Sequence, residues 1–212
     1  MGSDKRQMLI LATGNRDKVR ELSEMIDPEK YEVLSKAEVG LADFEVEEDG
    51  ATLEENAEKK AREIARALRE EDAARARFED ALILADDTGL FVDALGGAPG
   101  VYSARYAGEH CSYQDNVAKL LEAMRDVADD ARTAVFRTVI AVVRGEACTL
   151  VRGALPGRIA RAARGEHGFG YDPVFELSDG RTLAQCSDTE KNEISHRARA
   201  YRKLIEWMDG VR

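Results

Sequence analysis

The sequence predicts an α/β protein in which strands and helices alternate. The chain opens with an apolar segment at residues 8–13, a segment of helical periodicity at residues 17–26, and a second apolar segment at residues 31–34. Further along, residues 81–84 form a short, uninterrupted apolar run, which is typical of a strand buried on both faces of a sheet. A strand-helix-strand opening and a fully buried strand together predict this fold class.

The segment before the buried strand is predicted to be helical. Residues 52–77 are rich in Ala, Glu, Arg and Lys, and their apolar positions recur at three- and four-residue spacing. This pattern predicts a long amphipathic helix, and Thr52 with Glu55 predicts a capping box at its start. Residues 113–124 predict another helix after the buried strand.

The last third of the chain predicts a hairpin and a closing helix. Residues 133–143 and 148–151 are predicted to pair around an Arg-Gly-Glu turn. A glycine-rich segment, residues 165–173, precedes residues 174–177. Residues 195–208 have the pattern of a final helix.

Length, charge and composition limit the function classes. The 212 residues contain no internal repeat or linker, so we expect one domain over residues 1–212, with residues 1–7 as a disordered N-terminal extension. The formal net charge of -10 disfavours nucleic acid as a partner, because nucleic-acid binding needs a basic footprint. The chain has no apolar run of the roughly 20 residues needed to span a membrane, and no signal-peptide pattern, so we expect no membrane association and a cytoplasmic location.

Two adjacent carboxylates directly follow the buried strand. Asp86 and Asp87 would lie at the functional edge of the sheet, because open α/β sheets bind ligands beyond the carboxyl ends of their strands. Neighbouring strand residues point to opposite faces, so we expect one aspartate to face a cleft and the other to make a structural bond. From this short string alone, a capping pair at a turn or a helix start is an alternative.

A second candidate group follows the first strand. Gly14 allows a tight turn after Thr13, and a helix begins near Arg16, so backbone N–H groups and the positive end of the helix dipole would face a docked anion. Lys18 adds a positive charge one turn into the helix. The segment matches neither G-x-x-x-x-G-K-[ST] nor G-x-G-x-x-G, and a simple helix cap at Thr13 or Asn15 is an alternative.

Two further segments carry candidate groups with ordinary alternatives. Glu48 lies just before a helix N-terminus, and Lys60 lies on that helix. A solvated acidic loop is the ordinary explanation for the acidic residues around Glu48. Phe169 and Tyr171 flank a glycine ahead of an Asp-Pro pair, and both rings could also be core residues.

The start of the last helix carries three cationic or ionisable side chains, Lys191, His196 and Arg197. Cations at a helix N-terminus oppose the helix dipole, which is a mildly unfavourable placement. This placement favours an anion or a carbonyl group as their partner.

Six motifs in these segments resemble, in order and across nearly the whole chain, those of the inosine and xanthosine triphosphate pyrophosphatase family, also called Ham1-like. The motifs are T-G-N-x-x-K at 13–18, E-N-A-x-x-K-A at 55–61, A-D-D-T-G-L at 85–90, L-G-G-A-P-G-V-Y-S-A-R-Y at 95–106, G-F-G-Y-D-P at 168–173 and S-H-R at 195–197. The resemblance implies an elongated mixed central sheet with helices on both sides, two lobes around a central substrate cleft, and a homodimer.

The resemblance also implies a reaction: hydrolysis of ITP, dITP or XTP between the α- and β-phosphates, with Mg²⁺, to the monophosphate and pyrophosphate. Asp87 would be the general base, supported by Asp86 and Lys18, and Glu48 and Asp87 would hold the metal. The substrate contacts implied by the motifs are Thr13, Gly14, Asn15, Arg16, Asp17, Lys18, Lys60, Thr88, Phe169, Gly170, Tyr171, Asp172, Lys191, His196 and Arg197.

The same resemblance divides the substrate contacts by chemistry. Positive charge for the triphosphate is expected from three lysines, Lys18, Lys60 and Lys191. Phe169 and Tyr171 are expected to sandwich the purine, and stacking of this kind accepts any base. Arg197 and His196 can donate to the carbonyl at C6 of hypoxanthine or xanthine, where adenine has an amino group, so they are expected to supply the selectivity.

Two functions of other classes remain as alternatives. A Maf-like nucleotide pyrophosphatase of different base specificity shares the architecture, but the S-H-R and G-F-G-Y-D segments argue against it. A non-catalytic nucleotide-binding protein would lack the carboxylates, whereas Glu48, Asp86 and Asp87 are all present.

Overall fold

The structure, a computed structural model, describes residues 6–70 and 72–210, without the side chain of residue 73. The strands in this part of the chain are β1 (Gln7–Leu11), β2 (Tyr31–Ser35), β3 (Leu82–Val92), β4 (Pro99–Gly100), β5 (Thr133–Arg144), β6 (Ala147–Ile159) and β7 (Phe175–Glu176). The α-helices are α1 (Arg16–Met25), α2 (Leu53–Glu70), α3 (Asp72–Phe78), α4 (Tyr113–Ala123), α5 (Asp188–Ile194) and α6 (His196–Gly210).

The strands form one mixed sheet, which confirms the predicted α/β class. Its order is β2-β1-β3-β5-β6-β7, and β4 pairs with β3 outside this path. β1 is parallel to both β2 and β3, with Leu11 level with Ser35 on one side and with Leu84 on the other. β4 is antiparallel to β3, and β7 is antiparallel to β6.

The described residues fall into two compact units. The first unit comprises the described residues of Met1–Asp87, Val139–Arg152 and Ala200–Arg212, and the second comprises Thr88–Thr138 and Gly153–Arg199. Each unit has its own apolar core. The core of the first unit includes Leu9, Leu11, Leu22, Leu84, Ile140 and Tyr201. The core of the second unit includes Leu90, Leu120, Phe136, Val174 and Phe175.

The buried strand is longer than the sequence predicted. Residues 81–84 were expected to end before a loop with the two aspartates, but β3 continues through them to Val92. Polar residues are tolerated in this strand because each finds a partner: Asp86 pairs with Lys18, Asp87 accepts a hydrogen bond from Asn56, and Thr88 contacts Thr138. The prediction of a loop at this position was therefore wrong.

Other predicted elements are confirmed with smaller corrections. The long helix is observed as α2 and α3, on either side of residue 71, which lies outside the described residues. The hydroxyl of Thr52 accepts the N–H of Glu55, but the Glu55 carboxylate accepts from Ala51 instead of Thr52, so the predicted capping box is only half formed. The hairpin of β5 and β6 is confirmed, with Gly145 and Glu146 between the strands.

Only some of residues 1–7, which were expected to be disordered, are among the described residues. Residues 1–5 lie there, but Gln7 is the first residue of β1, where its backbone N–H donates to the carbonyl of Lys30 at 2.9 Å. The prediction was therefore wrong for Gln7. Among the described helices, none combines the length and the apolar character needed to cross a membrane.

Candidate functional site

The first candidate group lies where parallel strands of the first unit end. Thr13, Gly14 and Asn15 follow β1, and the pairing of β1 with β3 ends with the Ala12 N–H donating to the Leu84 carbonyl at 2.7 Å. Asp86 and Asp87 follow one residue later on β3, which continues to Val92. The structure therefore brings the T-G-N-x-x-K and A-D-D-T-G-L motifs to one edge of the sheet, as expected for ligand sites in open α/β sheets.

Asn15 is the N-cap of α1. Its side-chain oxygen accepts from the backbone N–H groups of Asp17 at 2.9 Å and Lys18 at 3.4 Å, and its own N–H donates to the Thr13 hydroxyl at 3.1 Å. The helix cap that was an alternative for this segment is thus confirmed at Asn15. The Lys18 ammonium lies 2.9 Å from the Asp86 carboxylate, and its side chain is only 16% exposed.

The two aspartates have different partners, as their positions on opposite faces of a strand predict. The side chain of Asp86 is fully buried and pairs with Lys18 on α1. Asp87 interacts with α2: its Oδ2 accepts from the Asn56 amide at 3.1 Å, and its Oδ1 lies 3.7 Å from the Lys60 ammonium. Asp86 therefore holds a cation beside the α1 N-terminus, and Asp87 belongs to a separate cluster.

The Asp87 cluster joins two carboxylates through one ammonium. Lys60 Nζ donates to Glu48 Oε1 at 2.9 Å and to the backbone carbonyl of Asp86 at 2.8 Å. Burial alone would lower the pKa of Lys60, but Asp87, Glu48 and Asp86 outweigh it and the pKa is raised. Burial raises the pKa of Asp87, and the negative charge of Glu48 adds to this, against the opposing effect of Lys60. Asp87 is thus a stronger proton acceptor than an ordinary exposed aspartate.

The donor set of this cluster fits a hard divalent cation. Glu48 and Asp87 already converge on one positive charge, the Lys60 ammonium. No group of three or more His, Cys, Asp or Glu able to hold a metal occurs among the described residues. Mg²⁺ usually takes only one or two protein carboxylates, together with waters and substrate phosphates, so this pair is sufficient for it.

Asn56 is a site residue that sequence reasoning missed. It is 1% exposed, and while its amide donates to Asp87, its oxygen accepts the N–H of Gly50 at 2.8 Å. A Cβ on Gly50 would lie 2.6 Å from that oxygen, so glycine is required for this close approach. Asn56 therefore connects the loop that carries Glu48 to the strand that carries Asp87. Its signal was present in the E-N-A motif, but a neutral amide drew no attention beside charged residues.

The second unit contains an aromatic group centred on Phe169. Its half-buried ring has the Lys191 ammonium 4.5 Å and the Arg197 guanidinium 5.3 Å from its centroid. The Asp172 carboxylate is buried between two donors, Lys191 Nζ at 2.7 Å and the Phe169 N–H at 3.0 Å. Burial raises the pKa of Asp172, and Lys191 opposes that rise. Asp172 therefore fixes both the position of the Phe169 backbone and that of the Lys191 ammonium.

The loop before Phe169 depends on glycine. Gly168 has φ +75°, a left-handed conformation, and a Cβ there would lie 2.1 Å from an Asp172 carboxylate oxygen. Gly170 beside Phe169 also has a positive φ, of +65°, with open space around it. The G-F-G sequence thus lets the chain close around the buried carboxylate while one face of the loop stays open.

Tyr171 does not pair with Phe169 as a stacking platform. It is 5% exposed, packs in the core of the second unit, and donates its hydroxyl to the Ser103 carbonyl at 2.8 Å. Burial raises the pKa of its phenol. The predicted sandwich was therefore wrong for Tyr171, because the alternation of buried and open positions in this turn is set by packing. The exposed ring next to Phe169 is Tyr113, 6.0 Å away between centroids.

Lys191 differs from expectation in its position on a helix. Lys191 lies in the last turn of α5, a helix the sequence did not predict, where a cation complements the dipole instead of opposing it. Its contacts with Asp172 and Phe169 group it with the aromatic residue, whereas Lys18 and Lys60 belong to the first unit. His196 is 4% exposed and stacks on Phe136 at 4.5 Å.

The remaining predicted contacts are placed as follows. Gly14 is exposed in the turn before α1, Arg16 is exposed as the first residue of α1, and Asp17 pairs with Arg20 at 3.4 Å. The Thr88 hydroxyl lies 2.8 Å from that of Thr138 within the second unit. Arg197 is 3% exposed, and its guanidinium lies 5.3 Å from the centroid of the Phe169 ring.

Known proteins are similar to this chain in sequence and in fold over nearly its full length. Residues 9–207 match the sequence model of the Ham1 family. The dITP/XTP pyrophosphatase of Bacillus subtilis (strain 168) is 45% identical over 202 residues, which cover 94% of this chain and 96% of that protein.

Solved structures agree with the sequence match. The Ham1 protein of Staphylococcus aureus superposes with a TM-score of 0.83 at 36% identity, covering 97% of this chain and 100% of that chain. A HAM1 protein from Coxiella burnetii has a TM-score of 0.83 at 36% identity, covering 96% and 99%. On the family match and these identities, the chain belongs to the Ham1 family.

Proposed function

We propose that this protein hydrolyses ITP, dITP and XTP to the nucleoside monophosphate and pyrophosphate. Relatives that it matches over nearly their whole length are named dITP/XTP pyrophosphatase. The observation that carries the proposal is the environment of Asp87. This buried carboxylate of raised pKa is oriented by Asn56 and faces a buried ammonium, beyond the point where the parallel pairing of β1 with β3 ends. A buried acid whose pKa is shifted and that has a defined charge partner is a common feature of catalytic sites.

The phosphates are proposed to bind to the first unit. The N-terminus of α1 offers the positive end of a helix dipole, and Lys18 and Lys60 supply two ammonium groups. Both ammonium groups now contact carboxylates, so an incoming phosphate competes for donors that are already positioned. Asp86 keeps Lys18 in place because its buried carboxylate needs a cation.

Asp87 is proposed as the general base. It takes the proton of the attacking water, the water oxygen forms a bond to the α-phosphorus, and the bond to the β-phosphate oxygen breaks, releasing pyrophosphate. The Asn56 amide holds Asp87 Oδ2, which orients the carboxylate for this transfer. Glu48 and Asp87 would hold Mg²⁺, which when bound polarises the phosphoryl oxygens and offsets their charge.

The purine base of the substrate is proposed to bind to the second unit. Phe169 offers one face for stacking, which accepts any purine. Arg197, His196 and Lys191 are donors that suit the C6 carbonyl of hypoxanthine and xanthine, whereas the amino group of adenine would leave them without an acceptor. On this proposal Lys191 acts at the base and not at the triphosphate, because Asp172 and Phe169 hold it there.

The products formed in ¹⁸O-labelled water test the reaction. With ITP and Mg²⁺ we expect pyrophosphate and IMP, with the label in IMP because water attacks the α-phosphorus. Release of IDP and orthophosphate, or label in pyrophosphate, would contradict the proposal. ATP, GTP and a pyrimidine triphosphate serve as controls, and each should be hydrolysed more slowly than ITP.

Two further parts of the proposal come from the family resemblance and the sequence alone. A homodimer is expected, and analytical ultracentrifugation would reveal it as a sedimenting mass near twice that of the 23.4 kDa chain. A cytoplasmic location is expected, and cell fractionation that recovers the protein elsewhere would contradict it.

A further inference from the structure

Lys36 lies beside the phosphate-binding turn, although no motif drew attention to it. β2 ends at Ser35, which pairs with Leu11 of β1, so Lys36 is level with the residue that precedes Thr13. A Cβ placed on Gly14 would be 3.5 Å from Lys36 Cε, which is van der Waals contact. The Lys36 side chain therefore runs along the turn that connects β1 to α1.

The ammonium of Lys36 is sheltered but its anionic partner is not. Lys36 is 9% exposed, and its Nζ donates to the Phe44 carbonyl at 3.0 Å and to Glu45 Oε1 at 3.0 Å. The Glu45 side chain is 85% exposed. Because the Glu45 carboxylate is so exposed to water, its attraction to Lys36 is weak, and a bound anion can replace it.

The order of strands places Lys36 and Asp87 on opposite sides of β1. β2 and β3 flank β1, and neighbouring strands lie about 4.8 Å apart. If the α-phosphorus lies near Asp87 on the β3 side, a triphosphate that crosses the Gly14 turn extends its β- and γ-phosphates toward the β2 side. Lys36 is the buried cation at the end of β2.

We propose that Lys36 binds the β- and γ-phosphates of the substrate, and hence the pyrophosphate that leaves. This inference rests on the proposed function and adds a residue for the leaving group. Lys18 and Lys60 contact buried carboxylates of the site, Asp86 and Asp87, whereas the carboxylate on Lys36 is the exposed Glu45. Lys36 thus contributes a positive charge that the catalytic carboxylates do not offset.

Pyrophosphate affinity tests the proposal without any turnover. Calorimetric titration with pyrophosphate and Mg²⁺ should show that Lys36→Met binds pyrophosphate at least about tenfold more weakly than wild type does, since a charge-assisted hydrogen bond is lost. IMP affinity should not change. The matched control is Lys59→Met, which removes the same charge from a lysine paired with Asp49 in the same acidic loop. Pyrophosphate binding in Lys36→Met within twofold of the control would overturn the inference.

A second variant separates phosphate binding from a role in holding the loop. Glu45→Gln leaves Lys36 in place and removes its competing carboxylate, so pyrophosphate should bind at least twofold tighter. Unchanged or weaker binding in Glu45→Gln would overturn the proposal, and this readout remains if Lys36→Met does not fold. If Lys36→Met weakens pyrophosphate binding as described but labelled water gives products other than IMP and pyrophosphate, the proposed function fails and Lys36 remains a pyrophosphate-binding residue only.

Discussion

The buried pair of Asp172 and Lys191 allows a quantitative prediction. Each side chain is 5% exposed, and the ammonium and carboxylate are 2.7 Å apart. Asp172→Asn keeps the shape of the side chain but leaves the Lys191 ammonium buried without its anion. Removing one partner of a buried ion pair costs about 3–5 kcal/mol. For a chain of this size, that corresponds to a fall in Tm of roughly 6–20 °C.

Lys191→Met, the matched variant, should behave differently with pH. Burial already raises the pKa of Asp172, and loss of Lys191 raises it further. A carboxyl group with a raised pKa in the folded state favours folding below its unfolded-state pKa and loses that contribution as pH rises through the folded value. Lys191→Met should therefore recover stability as the pH is lowered, whereas Asp172→Asn should not.

Urea unfolding of wild type, both single variants and the double variant completes the cycle. The double variant has neither buried charge, so we expect it to be less destabilised than the sum of the single variants by more than about 1 kcal/mol. Strict additivity would refute the reasoning, because it would mean that the two charges do not depend on one another. Thermal unfolding monitored by circular dichroism at pH 5 and pH 8 checks the pH dependence of Lys191→Met.

Three other predictions address the reaction and one helix cap. Asp87→Asn should fold normally by circular dichroism and lose about 100- to 10,000-fold in kcat, because the amide cannot take the proton; more than a tenth of wild-type rate would exclude Asp87 as the base. Arg197→Ala should narrow the ITP-over-ATP ratio of kcat/KM by roughly tenfold or more, while Lys18→Ala should lower both values and keep the ratio; an unchanged ratio in Arg197→Ala would place selection elsewhere. Hydrogen bonds from Ser112 lower the pKa of Asp115, so this cap stabilises α4 at pH values above the ordinary pKa of 3.8, and the contribution is lost as the pH falls. The Tm difference between wild type and Asp115→Asn should therefore shrink from pH 6 to pH 3. A constant Tm difference would contradict this prediction.

The fold could be predicted where the signal is local. The strand-helix-strand opening follows from apolar periodicity within about 30 residues, and the Asn15 cap follows from the residue type at a strand-to-helix turn. The extension of β3 through Asp86 could not be predicted this way. Carboxylates disfavour a strand by propensity, and Lys18, the partner that permits Asp86 there, comes from a distant part of the chain.

The sequence predicted which residue types form the candidate site, but not which of these residues contact one another. Phe169 and Tyr171 are two aromatic residues around one glycine, and only packing decides that Tyr171 is buried against Ser103 while Phe169 stays half-exposed. Lys191 looks like any other phosphate-binding lysine in sequence, and only its bond to Asp172 places it beside Phe169. Side chains of neutral or ordinary appearance, such as Asn56, are visible as site residues only through their contacts.

The pairing of buried lysines explains how an acidic chain can bind a polyanion. The described lysines that are less than 10% exposed each contact a carboxylate: Lys36 with Glu45, Lys60 with Glu48, and Lys191 with Asp172. A buried ammonium without a partner would be costly, so these carboxylates hold the lysine side chains in position before substrate arrives. On the two proposals made above, a nucleotide that brings its own divalent cation would exchange partners, with phosphates on the Lys36 and Lys60 ammonium groups and the cation on Glu48. The net charge of -10 is therefore compatible with triphosphate binding, because the positive charges that would meet the phosphates are gathered locally.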